Sequence, residues 1–462
     1  MQLAHELARR SAALRFEDLP ADAVHWAKVG ILDTVGVTVA GSVEPCARIV
    51  GEVVAAGGTG ASRVFGTAER ASALDAALIN GTAAHALDFD DCNNTLGGHP
   101  SAPILPALFA LADERLLDGR AFIAAYVAGF ETECKLARGV NFHHYTKGWH
   151  ATATLGVHGA AAAACHLMRL DAARTATALA LASSLACGLK ANFGTMTKPL
   201  HVGHCARSGL FAALLAAKDF TANAGAFEHN QGFLDVFNGP GTYDTARMLE
   251  GWGAPFDIVT PGIAVKQYPC CGSTHPALDV MLDLVLAHDL RPDQVARIDC
   301  WTHARRLEHT NRPDPDSGLA AKFSVQYCVA RALTDRTIRI EHFEGEAFND
   351  PAVRAILPRV HAAAYTDGQF PADNHLGAEV TVTTHDGKVV SGRIDEALGR
   401  TSANPLPTER LREKFANCIA RVLPASRATV LADTIERLEA LADMRALSAQ
   451  LAPAAAEQRK RA

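Results

Sequence analysis

Residues 73–113 read ALDAALINGTAAHALDFDDCNNTLGGHPSAPILPALFALAD. Two Ala-rich stretches carry apolar residues at three- and four-residue spacing, which predicts two buried helices. The connection between them holds three Asp, a Cys and a His, and breaks at Gly97-Gly98. Asp88, Asp91 and Cys92 stand at i, i+3 and i+4, a spacing that predicts one shared helix face. With His85, Phe89 and His99 around them, these acids make a segment too apolar and too His-rich for a plain solvent loop.

The same design recurs along the chain. A basic residue stands immediately before an Ala-rich helix at His99-Pro100, His150-Ala151, Lys198-Pro199 and His275-Pro276. A helix N-terminus offers unpaired N–H groups and a partial positive charge, so it attracts anions. One such end means little, because Pro near a helix start is routine. Four of them, brought together, would form a pocket for a small polycarboxylate with proton-transfer groups in place.

From residue 1 to about 260 helix follows helix, as in DAVHWAKVGILDTVGVTVAG and GRAFIAAYVAGFETECKLARGV, with breaks at Gly57-Gly58, Gly97-Gly98 and Gly239-Pro240-Gly241. After Pro261 the texture changes. VARIDCWTHA, TIRIEHF and AEVTVTTHDGKVVSGRI read as strands, the last a hairpin turning at Asp386-Gly387. Between them PALDVMLDLVLAHDL, KFSVQYCVARALTD and PAVRAILPRV read as helices, and helical patterns return after residue 400. The predicted fold is mainly α. A large all-helical domain is built from residues 1–262 and 401–462, and a smaller α+β domain, 263–400, is inserted into it. The tail APAAAEQRKRA is expected to fray.

Composition narrows the function. The chain has 462 residues, 48% hydrophobic and 20% charged, with a net charge of -6. That balance and the lack of a long basic block argue against a nucleic-acid surface. No apolar run of about eighteen residues predicts a membrane span. The N-terminal stretch lacks the apolar core of a secretory signal, so a cytoplasmic protein is expected. The eleven Cys are scattered without a C-x-x-C pair, so reduced thiols filling helix contacts are expected rather than a zinc or iron–sulfur site. An Asp-rich helix can hold magnesium for diphosphate chemistry, but the second acidic helix and basic clamp that this needs are missing. No phosphate-binding Gly motif or GxSxG elbow occurs.

Candidate acid/base groups fall in four further segments. Residues 143–156, HHYTKGWHATATLG, offer Tyr145 and His150. Residues 194–209 carry Lys198 in an apolar, Ala-rich setting, where burial and neighbouring positive charge would turn an amine into a base. His201 and His204 lie three apart without a carboxylate, a weak metal pattern. Residues 266–279 offer His275, and 322–330 offer Tyr327 on a helix. Each of these also has a purely structural reading.

Taken together, LDTVGVTVAG, the DFDD…HPS block, GWHATATLG, TKPLHVG, K-x-YP…STH, SVQY and NPL…KF resemble the MmgE/PrpD family, over almost the whole chain. The resemblance implies a large helical domain with a smaller α+β lid-like domain, a homodimer, and no metal or organic cofactor. It implies an active site of Asp88, His99, His150, Lys198, His275 and Tyr327, with His275, Tyr327 and Cys92 toward the substrate. Cys92 stands where the family's decarboxylases and dehydratases usually have Thr, and the loop up to His99 departs from both. The family's reactions share one step, proton transfer at carbon beside a carboxylate. Since the loop departs from the lyase patterns, an epimerase of an amino- or iminodicarboxylate is expected. Lys198 or a neighbouring His would be the base, and Tyr145 or His99 the acid opposite. The alternatives are a lyase like 2-methylcitrate dehydratase or cis-aconitate decarboxylase, and a non-catalytic carboxylate-binding protein.

Overall fold

The computed structural model describes residues 2–54, 60–366, 368–371 and 373–453. Gly57-Gly58 and the end of the tail, with Arg459-Lys460-Arg461, lie outside the described residues. The chain divides into two compact units. Unit 1 comprises residues 1–265, 401–403 and 407–462, and unit 2 comprises 266–400 and 404–406.

Among the described residues unit 1 is helical apart from a two-stranded ribbon, β1 (Ser62–Arg63) and β2 (Arg70–Ala71). Its helices are α1 (Leu3–Ala13), α2 (Ala21–Gly41), α3 (Pro45–Val54), α4 (Ala73–Ala86), α5 (Ser101–Glu114), α6 (Gly119–Val140), α7 (His143–Lys147), α8 (Ala151–Thr154), α9 (Gly156–Leu167), α10 (Ala172–Leu185) and α11 (Thr197–Ala216). Side-chain caps start several of them: Ser72, Asp118 and Asp171 each accept the backbone N–H three residues on. The Ala-rich helix predicted after His150 is interrupted at Leu155, between α8 and α9.

Small residues let these helices approach closely. A Cβ at Gly203 of α11 would collide with Leu78 O and Thr82 Oγ1 of α4. The abundance of Ala and Gly thus follows from backbone-to-backbone packing rather than from helix propensity alone. This contact sets α11, which carries Lys198, against α4, which runs into Asp88.

Unit 2 contains α12 (His275–His288), β3 (Val295–Thr302), α13 (Ala304–Thr310), α14 (Gly318–Ala321), α15 (Val325–Asp335), α16 (Pro351–Arg354), β4 (Val360–Ala364), β5 (Ala378–Thr384) and β6 (Val389–Ile394). The sheet order is β4-β3-β5-β6, with β3 and β4 parallel and the other pairs antiparallel. Inward residues of β3 and β5 meet α12 and α15 in a core that includes Leu278, Met281, Ile298, Val329 and Val380. The hairpin turns at Asp386-Gly387, where Gly387 has φ +86°.

Two expectations fail here. TIRIEHF forms a 3₁₀ turn, Ile340–Phe343, instead of a strand, started by Arg339 with its N–H received by His342. PAVRAILPRV holds α-helix only over Pro351–Arg354 and a 3₁₀ turn over Leu357–Arg359, and the chain then enters β4, whose Ala-rich sequence gives no strand signal. Helices α17 (Thr408–Ala420), α18 (Ser426–Glu436) and α19 (Arg445–Ser448) return to unit 1. Among the described residues no single helix is long and apolar enough to cross a membrane. All eleven cysteines are free thiols.

Candidate active site

Helix α4 ends at Ala86, and Asp88 follows with φ +53°, the left-handed region that L-residues other than Asn and Asp rarely occupy. The segment after it is irregular rather than helical, so Asp88, Asp91 and Cys92 do not share a helix face as predicted. Neighbouring side chains instead point to opposite sides. Asp88 and Asp90 reach a cluster of His and Lys, while Phe89 and Asp91 face the opposite packing layer.

On the first side, Lys198 Nζ donates to Asp88 Oδ1 at 2.5 Å, and His99 Nε2 lies 3.7 Å from the same oxygen. Asp90 Oδ2 accepts from His85 Nδ1 at 2.8 Å and meets His99 Nδ1 at 3.1 Å. A carboxylate only accepts, so each imidazole carries a proton on Nδ1. That tautomer leaves His99 Nε2 facing Asp88. Burial alone would raise the pKa of Asp90, but the His85 and His99 imidazoles hold it well below the usual carboxylate range. Burial pushes His85 down to about 3, so it stays neutral.

His150 closes the cluster. Its ring lies 5.5 Å from that of His85 and edge-on to Phe193 at 4.9 Å, and its Nδ1 is 3.3 Å from His201 Nδ1. Burial, then His85 and Lys198, holds the His150 imidazole well below its ordinary value. Lys198 Nζ lies 5.2 Å above the same Phe193 ring. Cys92 Sγ is 3.8 and 3.9 Å from the two nitrogens of His99.

The second side holds the segment in place. Lys414 of α17 donates to Phe89 O at 2.7 Å, pairs with Asp33 at 2.6 Å and lies 3.9 Å over the Phe89 ring. Asp91 caps α5 by accepting from Ser101 N and Ser101 Oγ, and Ser101 Oγ meets Tyr126 Oη. Burial, then the nearby Asp33, raises Asp91 well above the usual range. Downstream, Cys92 exchanges backbone hydrogen bonds with Ala264, and Asn93 Nδ2 reaches Gly262 O.

Of the predicted residues, the structure therefore brings together Asp88, Cys92, His99, His150 and Lys198. Tyr145 lies on α7 with its ring 3.6 Å beneath Lys190 Nζ. In unit 2, His275 begins α12, its Nε2 3.3 Å from Cys270 O and its ring edge-on to Tyr268. Tyr327 is fully buried; its hydroxyl donates toward His342 O and Ala347 O and accepts from Arg331 Nε. A ligand at that hydroxyl would have to replace one of these bonds.

Sequence reasoning missed Asp90, which fixes His99, and His85 as the second imidazole on Asp90. The alternation Asp88-x-Asp90-x-Cys92 was the available signal. His85, Asp88, Asp90 and His99 also each offer one ligand atom, all within 4.8 Å of one another. Two imidazoles and two carboxylates suit a borderline divalent ion, although both Nδ1 atoms already donate to Asp90. The arrangement as it stands is a buried proton-transfer chain: Lys198, Asp88, His99 and Asp90 in sequence.

A model of the MmgE/PrpD N-terminal domain matches residues 5–246, and one of the C-terminal domain matches 268–440. The chain is 30% identical over 377 residues to the cis-aconitate decarboxylase of Homo sapiens, covering 79% of this chain and 77% of that protein. It is 26% identical over 464 residues to the cis-aconitate decarboxylase of Aspergillus terreus, covering 95% and 94%. A cis-aconitate decarboxylase-like protein of Aspergillus oryzae is 27% identical over 475 residues. Both halves of the chain match the family in order, and the cluster is assembled from the segments that carried the resemblance: the chain belongs to the MmgE/PrpD family.

Proposed function

We propose that this chain is a cofactor-independent lyase that releases CO2 from a small unsaturated tricarboxylate of the cis-aconitate type. The observation that carries the reading is the junction of Lys198 and His99 on one oxygen of Asp88, in a buried cluster of unit 1. The named relatives support the lyase over the epimerase that the loop sequence suggested.

The reaction needs no oxidant or reductant. The bond to one carboxylate breaks and CO2 leaves. Its electron pair shifts through the adjacent double bond to a carbon beside a second carboxylate, and a proton is delivered there. The developing charge is held by preorganised donors. Lys198 supplies the cation; His99, protonated on both nitrogens between Asp90 and Asp88, gives its Nε2 proton to the carbon; Asp88 links the two, and Asp90 fixes the imidazole. His150, kept neutral by burial, is a wall that can donate one hydrogen bond without adding charge.

A second reading rests on Cys92. Its thiol beside His99 adds a proton-transfer group, as two-base epimerisation would require. Incubation with cis-aconitate in D2O separates the two. The lyase releases CO2, places one deuterium in the product and loses turnover in Lys198→Met. Deuterium in recovered, inverted substrate of an iminodicarboxylate, without CO2 from any tricarboxylate, would sink the lyase and favour the epimerase.

A further inference from the structure

Unit 2 holds two arginines, Arg306 and Arg400, that pair with no carboxylate among the described residues. Arg306 on α13 is 7% exposed. Its Nε donates to His375 O and its Nη1 reaches Ser273 Oγ at 3.4 Å, while His309 Nε2 lies 3.0 Å from the same hydroxyl. Nη2 of Arg306 has no partner among the described residues.

Arg400 comes from the far end of the unit. Its Nη1 is 3.5 Å from the point where a side chain at Gly272 would begin, and Lys266 Cε is 3.7 Å from that point. The glycine leaves this space unfilled, and a Cβ there would sit in ordinary contact with both side chains. Arg400 Nε is buried and makes no hydrogen bond. Burial, and then the Arg400 guanidinium, pushes the pKa of Arg306 down to about 9. Among the described residues no carboxylate pairs with either arginine.

Two guanidiniums close enough to repel each other, one buried and one with an orphaned N–H, are an expensive arrangement for a fold to keep empty. A planar fork of N–H donors matches a carboxylate in geometry and charge. Ser273, which meets both Arg306 and His309, adds a hydroxyl to the same ring of donors, just before the start of α12.

We infer that Arg306 and Arg400, with Ser273, His309 and the gap over Gly272, form a carboxylate-binding subsite of unit 2. The ligand class rests on the proposed function: a di- or tricarboxylate.

The test uses the full chain and tricarballylate, a saturated tricarboxylate that has no double bond to react through. Calorimetric titration should show a dissociation constant raised roughly tenfold to a hundredfold in Arg400→Gln, and less in Arg400→Lys, with thermal midpoints unchanged. Arg306→Gln should weaken binding similarly. Arg400 is only half-buried, so its variants test the site even where replacing Arg306 disturbs folding. Wild-type affinity in Arg400→Gln would overturn the proposal, and so would inorganic phosphate competing as well as the tricarboxylate. Failure of the subsite and failure of the lyase reading are distinguishable. In the first case Arg400→Gln keeps wild-type affinity while Lys198→Met still loses turnover. In the second, tricarballylate binds in an Arg400-dependent way while wild-type protein releases no CO2.

Discussion

Glu133 of α6 gives a sharp test of the buried electrostatics. It is fully buried, and neither carboxylate oxygen has a hydrogen-bond partner. Burial, and then the nearby Asp91, raises its pKa well above the ordinary value. The folded protein therefore keeps this proton over a range in which the unfolded chain, with a Glu pKa of about 4.3, has lost it. Over that range the unfolded state binds fewer protons than the folded one, so stability falls as pH rises. The slope is about 1.4 kcal/mol per pH unit for one group. Below the unfolded value both states are protonated and the cost vanishes.

Glu133→Gln removes the titration and keeps the shape. Exchanging a hydroxyl for an amide carries some fixed cost, but that cost is the same at every pH. Relative to wild type, the variant should therefore gain stability as the pH rises from 5 to 7, by at most about 1.4 kcal/mol per unit for as long as the folded carboxyl keeps its proton. Urea denaturation at pH 5, 6 and 7, followed by circular dichroism, measures it. A constant offset at all three values would mean that Glu133 is ionised in the fold, and the reasoning would be refuted.

Three other outcomes follow from the packing and the site. In Asp90→Asn the imidazole of His99 loses its fixed tautomer, so kcat should drop by about a hundredfold or more with the fold intact; activity within twofold of wild type would show that Asp90 does not hold it. In Gly203→Ala overpacking of about 1–3 kcal/mol should exceed the helix gain of about 1 kcal/mol. The melting temperature should fall, and turnover with it, because α11 carries Lys198; a midpoint at or above wild type in scanning calorimetry would show slack between α4 and α11. Dialysis against EDTA should leave CO2 release unchanged, whereas loss of activity restored by a divalent ion would show that His85, Asp88, Asp90 and His99 hold a metal.

The helical unit was legible because its signals are local. The periodicity of α2, α6 and α12 and the turn at Asp386-Gly387 are written in adjacent residues. The cluster was legible for the same reason, since His99, His150 and Lys198 each announce themselves beside a helix start. What could not be read is set by partners far away in the chain. Strand β4 exists because β3 accepts it in parallel register, not because VHAAA prefers to be extended. The turn at Asp88 ends a helix whose apolar pattern runs on to Phe89, so the acids were assigned to a helical face that the backbone abandons. Asp90 was passed over because its role appears only when His85 and His99 meet on one oxygen.

The bond from Lys414 to Phe89 O links positions 325 residues apart. A ribosome adding about 5–20 residues per second makes the donor roughly 15–65 s after its acceptor. During that interval the acidic turn has emerged, but its brace does not yet exist. A nascent chain stalled or cut before Lys414 would thus display the clustered acids and imidazoles without the clamp that fixes them.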